Sequence, residues 1–124
     1  MYIMTLFAMI FFHIIDDFYL QGKLASMKQK EWWRSNAPDP LYANDYKIAL
    51  AIHAVSWTIM IMAPICWAYV DDVNPYMYTA SIVINAGIHA WVDDLKANKK
   101  KINLITDQLV HLGQIAITWS IFFI

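Results

Sequence analysis

Long apolar stretches alternate with short polar ones along this chain. Four stretches reach about 20 mostly apolar residues, the length a helix needs to cross a hydrocarbon core about 30 Å thick. They cover 2–20, 46–70, 76–95 and 102–124. Between them lie a polar connection over 22–45, the turn Asp71-Asp72-Val73-Asn74-Pro75, and a basic run over 96–101. Backbone polar groups cannot be left bare in lipid, so the apolar stretches should be helices. The pattern predicts an all-α fold, a single membrane domain over 1–124 built as a transmembrane four-helix bundle with antiparallel neighbours. The first stretch lacks a basic leader and a small-residue cleavage site. It also carries His13, Asp16 and Asp17. It therefore reads as a retained span and not as a secretory signal.

Basic residues set the orientation. Lys23, Lys28, Lys30, Arg34 and Lys47 flank the first connection, and Lys96, Lys99, Lys100 and Lys101 fill the third; these are all 9 of the Lys and Arg residues. The positive-inside bias puts both connections in the cytosol and both termini outside. Multi-pass placement follows as an expectation. Within 22–45, Leu24, Met27, Trp32 and Trp33 sit among Lys28, Lys30 and Arg34. A short amphipathic helix on the inner leaflet and a basic loop held near anionic lipid fit that stretch equally well. Ala37-Pro38-Asp39-Pro40 should end any helix there.

Composition agrees with this reading. The chain of 124 residues is 60% hydrophobic and 15% charged, against about half and a quarter in soluble domains. A net charge of -1 supplies no bulk basic field, so no nucleic acid is expected as a partner. The bilayer is the expected partner, with a homo-oligomer as a further expectation for so small a bundle. The one cysteine, Cys66, cannot form an internal disulfide and lies too near the outer end of its span to join the polar residues below.

Those polar residues carry the chemistry. Ionisable side chains inside a span are costly and point to function. His13 and Asp17 occupy the first span, His53 the second, His89 and Asp93 the third, and Asp107 and His111 the fourth. These include all 4 histidines. Each His–Asp pair is spaced i,i+4, which places both members on one helix face. Counted from the cytosolic end at 1.5 Å per residue, the histidines lie roughly 12 Å deep and the aspartates roughly 6 Å deep. Because the chain reverses at every connection, the order must flip to Asp-then-His in the fourth span, and it does.

Imidazole nitrogen with carboxylate oxygen suits a divalent transition metal, zinc first, with manganese, iron, cobalt or nickel also compatible. Seven donors exceed a tetrahedral shell, so either one ion with supporting partners or two ions about 3.5–4 Å apart would fit. Hydrogen-bonded His–Asp pairs that only join helices are the plainer explanation. Three pairs and a fourth histidine at one depth favour the metal.

Asn85, Gln108 and Gln21 stand within a turn of these residues; the first two are candidates to orient ligands, and Gln21 reads better as interfacial. Asp16 and Asp94 should point about 100° away from their neighbours, toward solvent at the inner interface, with replacement of the neighbour as a ligand as the alternative. Lys96 is expected to snorkel to lipid phosphate, and Gly87 to permit close helix approach. No Gly-rich phosphate loop, paired CxxC, Gly-x-Ser-x-Gly or His-Glu-x-x-His is present.

The set His13-x-x-x-Asp17-Phe18-x-Leu20-Gln21, Leu24-Ala25-x-x-Lys28, His53, His89-x-x-x-Asp93-x-x-Lys96 and Asp107-Gln108-x-x-His111 resembles the domain-of-unknown-function family numbered 3307 over nearly the whole chain. That resemblance implies a small integral-membrane protein of bacteria or their phages. The set is also loosely similar to membrane-bound metal-dependent hydrolases of the SOS-regulated inner-membrane type, which by analogy implies metal-assisted hydrolysis.

The first functional expectation is therefore a metal-dependent hydrolase at the cytosolic face. His13, His53, His89 and His111 would be ligands. One or two of Asp17, Asp93 and Asp107 would join them, and one would be the general base. A lipid-derived or phosphoester substrate would follow from the location. An ion- or proton-conducting oligomer using the His/Asp layer as gate or relay is the alternative, and a structural or interaction subunit the second alternative.

Overall fold

The computed structural model describes residues 2–69 and 71–124. It is helical, with no strand among the described residues. Helix α1 (Tyr2–Ile15) runs into a π-helical turn over Asp16–Leu20. Two short helices follow, α2 (Leu24–Met27) and α3 (Lys30–Asn36), then a 3₁₀ turn over Pro40–Tyr42. Three long helices complete the chain: α4 (Asp45–Ala68), α5 (Pro75–Ala97) and α6 (Leu104–Phe123). The expected stretches correspond to these within about two residues. Val70, the expected end of the second, lies outside the described residues.

Local chemistry explains the boundaries. Gly22 has φ +49°, a left-handed conformation that lets the chain leave the first helix sharply. The α3 helix stops at Asn36, immediately before the Ala37-Pro38-Asp39-Pro40 stretch. The α5 helix opens with Asn74, whose side chain accepts from the backbone N–H groups of Tyr76 and Met77, and with Pro75 in its first turn. Asn103 caps α6 by accepting from the N–H of Thr106 at 2.9 Å.

The long helices form a ring in the order α1, α4, α5, α6, with α6 returning to α1. In the half nearer the chain ends the ring is filled by Met9, Trp57, Ile61, Met62, Ile65 and Ile115, all fully buried. In the other half it is filled by polar groups: His13, Asp16, Asp17, His53, His89, Asp93, Asp107 and His111 are all buried. The outward faces of all four are apolar and exposed, as at Phe7, Phe11, Ile52, Ile59, Val83, Ile84, Leu109 and Ile117. Tyr2–Leu20 and Pro40–Ala68 are long and apolar enough to cross a membrane.

The connection over 22–45 is folded against the bundle. The Asn98 Oδ1 accepts from Lys30 N at 2.7 Å, and its Nδ2 donates to the Lys28 carbonyl at 2.9 Å. These bonds hold α2 and its following residues under the end of α5. Gly87 serves no close approach: a Cβ there would meet nothing within 4 Å.

Candidate metal centre

Each long helix contributes one histidine to a cluster of rings, of which His89 and His111 are stacked and the others tilted or edge-on. The ring centroids of His89 and His111 are 4.0 Å apart, those of His53 and His89 5.0 Å, and those of His13 and His111 6.1 Å. Trp57 lies against His89 at 4.2 Å, nearly parallel to it. The aspartates sit beside these rings, one helical turn away, as the i,i+4 spacing requires.

Hydrogen-bond direction fixes several roles. The Trp57 indole N–H only donates. It donates to His13 Nδ1 at 2.8 Å, so His13 carries its proton on Nε2. That Nε2 donates to Gln108 Oε1 at 3.0 Å. The Gln108 amide then donates to Asp17 Oδ2 at 2.8 Å and to Asp107 Oδ2 at 3.1 Å. His13 differs here from the ligand role expected of it. Both its nitrogens are engaged by protein groups, and it orients Gln108 and, through it, two carboxylates.

A second chain aims His111. The Gln114 amide nitrogen donates to Asn85 O and Asn85 Oδ1 at 3.2 and 3.1 Å, which turns Gln114 Oε1 toward His111. His111 Nδ1 donates to that oxygen at 2.9 Å. In the neutral ring Nε2 then presents a lone pair. It faces Asp107 Oδ1 at 3.3 Å and Asp93 Oδ1 at 3.5 Å, and all three atoms are buried without a hydrogen-bond partner. Asn85, expected beside His89, thus acts through Gln114 on His111.

His89 has neither nitrogen hydrogen-bonded. Its Nε2 lies 3.6 Å from Asp93 Oδ2 and 3.8 Å from Asp17 Oδ1. His53 Nε2 donates to Asp17 Oδ1 at 3.0 Å. Its Nδ1 faces Asp16 Oδ2 at 3.5 Å, again with neither atom partnered.

Three overlapping trios place their ligating atoms within 4.8 Å of one another: Asp17, His53 and His89; His89, Asp93 and His111; and Asp17, Asp107 and His111. Six of the seven expected ligands belong to them, His13 being the exception. A tetrahedral shell with bonds of about 2.0–2.1 Å sets its ligand atoms about 3.3–3.4 Å apart. A charge-assisted N–H···O bond is shorter, about 2.7–2.9 Å. The unpartnered contacts around His111 match the first distance, so the cluster is geometrically able to hold a metal ion.

Four residues occupy places that their sequence positions did not suggest. Asp16 is fully buried, where exposure was expected. The reason is the π turn, in which Gln21 N bonds to Asp16 O five residues back; the wider turn brings consecutive residues Asp16 and Asp17 both inward. Ser56 donates to Asp16 Oδ1 at 2.6 Å. Lys96, expected at lipid phosphate, donates to Asp107 Oδ2 at 2.7 Å. Lys28 is buried and donates to Asp93 Oδ2 at 2.7 Å. Gln21, expected at the interface, is half-buried and donates to the Asp17 carbonyl. Asp94 stays outside the cluster, accepting from Asn98 at 2.7 Å. Lys28 stood in the family motif with no role attached to it, and Trp57 is an aromatic among many.

The charge count is informative. Ionised, the four buried aspartates face two ammonium groups, from Lys28 and Lys96. With all four imidazoles neutral, two negative charges remain, which one divalent cation or two imidazolium rings would offset. Buried charge left unpaired is strongly destabilising.

The fold and cluster define an all-helical protein with a buried histidine–aspartate centre able to bind a metal. Residues 5–124 match the family described as "Protein of unknown function (DUF3307)", and the chain belongs to that family. No curated protein and no solved structure matches it.

Proposed function

We propose that this protein is a four-span protein of a bacterial cytoplasmic membrane that binds a divalent transition metal, zinc first among them, and uses it for hydrolysis on the cytosolic side. The carrying observation is His111, whose Nε2 has no hydrogen-bond partner, lies 3.3 Å from Asp107 Oδ1 and 3.5 Å from Asp93 Oδ1, and belongs with His89 and Asp93 to a trio whose ligating atoms lie within 4.8 Å of one another. His89, Asp93 and His111 are the ligands in this reading, with Asp107 beside His111. Asp17 and His53 form a hydrogen-bonded pair beside them, and Asp17 is assigned as general base. His13, Trp57, Gln108 and Gln114 orient the site, a role that groups behind metal ligands commonly serve. A metal so held polarises an ester or phosphoryl oxygen and acidifies water.

The membrane reading is supported by the inversion of polarity. The long helices expose aliphatic and aromatic side chains and bury histidine, aspartate, asparagine and glutamine. In water such an exterior would aggregate; in lipid it is the expected arrangement. Both lysine-rich connections lie at the polar end, which supports a cytosolic site and outer termini.

Protein purified in detergent and loaded with zinc should hydrolyse at least one member of a phospholipid and phosphoester panel. Asp17→Asn should lower kcat by about 10²–10⁴ while keeping the metal. Stoichiometric metal with no turnover across the panel would contradict the catalytic part. A second reading, proton or ion conduction, is favoured by the buried titratable layer, in which His53, His89 and His111 each lie within 4 Å of at least two carboxylates. Flux through liposomes that His89→Ala abolishes, without hydrolysis, would support that alternative.

A further inference from the structure

A cavity of about 490 Å³ opens at the polar end of the bundle, between the first and third connections. Its lining includes Lys28, Lys96, Lys100, Gln21 and Gln29, and no carboxylate. Two of these lysines are also the ones seated on the metal-centre carboxylates, Lys28 on Asp93 and Lys96 on Asp107, each at 2.7 Å. The cavity and the buried centre therefore share a wall one side chain thick. An ammonium group has three donors. Lys96, 27% exposed, spends one on Asp107 and keeps others for a ligand, whereas Lys28, 5% exposed, is committed to Asp93.

Lys100 supplies an independent observation. It has φ +52°, the left-handed region, at the end of α5. The bond from Lys101 N to Leu95 O closes the helix end around it at 2.9 Å. Glycine is the usual residue at that position because a Cβ is strained there. A lysine kept in a strained conformation at the rim of a cationic cavity points to a role for its side chain.

We propose that this cavity binds a phosphate-bearing group, and that the substrate of the metal centre is a phosphoester whose phosphoryl oxygens are held by Lys96 and Lys100, with Gln21 and Gln29 beside them. A tetrahedral anion with several acceptor oxygens uses several cationic and amide donors where a neutral carbonyl would use fewer. The ester bond would then face the Asp93–Asp107 wall. The assignment of this group as substrate rests on the metal-centre reading; binding in the cavity does not.

The test is calorimetric titration of the full chain in detergent with inorganic phosphate and, separately, with short-chain dihexanoyl phosphatidate. Metal content is measured on the same samples. Wild type is compared with Lys100→Gly, which removes the cation and relaxes the backbone, and with Lys47→Ala, an exposed lysine outside the cavity. Lys100→Gly should weaken binding about five- to tenfold, the loss of one charged hydrogen-bond donor, without lowering Tm. Lys47→Ala should leave binding unchanged.

Equal competition by inorganic phosphate assigns a soluble phosphoester as the source; tight binding of phosphatidate alone assigns a lipid headgroup. Absence of binding by both ligands, or equal loss in both variants, overturns the proposal. Samples that bind phosphate but take up no metal would uphold the cavity and refute the metal centre.

Discussion

The two halves of the bundle are held together differently. In the half near the chain ends, Met9, Ile61, Met62, Ile65 and Ile115 pack around Trp57, and rings of Tyr2, Tyr69 and Phe123 stack behind them. In the other half, buried side chains are chiefly ionisable, and several of their atoms lack hydrogen-bond partners. Apolar packing alone can hold the first half. The second half costs desolvation energy that a structural role does not require, since buried ion pairs can often be replaced by apolar residues without loss. The contrast locates function in the polar half and assigns the apolar half to support.

The largest effect should come from removing the cation proposed for the polar half. Zinc present at about 1,000 times its Kd stabilises the folded state by about 4 kcal/mol. Thermal unfolding in detergent with and without chelator should show that difference. An unchanged Tm would mean that the polar half is self-sufficient.

The apolar half should respond in the opposite manner. Ile65→Ala, at a fully buried position, should cost about 2–5 kcal/mol and leave metal content at the wild-type level. Equal loss of metal would show that the halves do not act separately.

Trp57 joins the two halves, and Trp57→Phe keeps much of its ring while deleting the donor to His13. Metal affinity should fall about tenfold, as for other groups that act behind a ligand, with full occupancy restored at high metal concentration. A change in stability alone would assign Trp57 to packing. The smallest effect should follow Asn74→Ala, which removes an exposed helix cap at a cost of about 1 kcal/mol and leaves metal binding intact.

Much of this arrangement is legible in the sequence. The His13–Asp17, His89–Asp93 and Asp107–His111 spacings each encode a shared helix face. Antiparallel connectivity then fixes their common depth, so the meeting of imidazoles and carboxylates needs little tertiary knowledge. The residues that complete the centre do need it. Asp16 enters because a π turn replaces an α turn, and only the adjacent Asp16-Asp17 pair inside an apolar stretch hints at that. Lys28 enters because Asn98 ties its segment under α5, a contact 70 residues apart in sequence. His13 keeps its spacing yet stands outside the metal-capable trios, and Trp57 and Gln108 engage both its nitrogens. Spacing reports which face a side chain occupies, and the hydrogen-bond partners decide what it does there.

The central claim is that the buried histidines and aspartates hold a metal ion. Elemental analysis of detergent-purified wild type beside His111→Ala tests it most directly. The account predicts close to one transition-metal ion per wild-type chain, or two if Asp17, His53 and His89 hold a second ion, and a loss to near background in the variant. Wild type without metal after growth and purification in metal-replete medium, or a variant that retains the full complement, would contradict it.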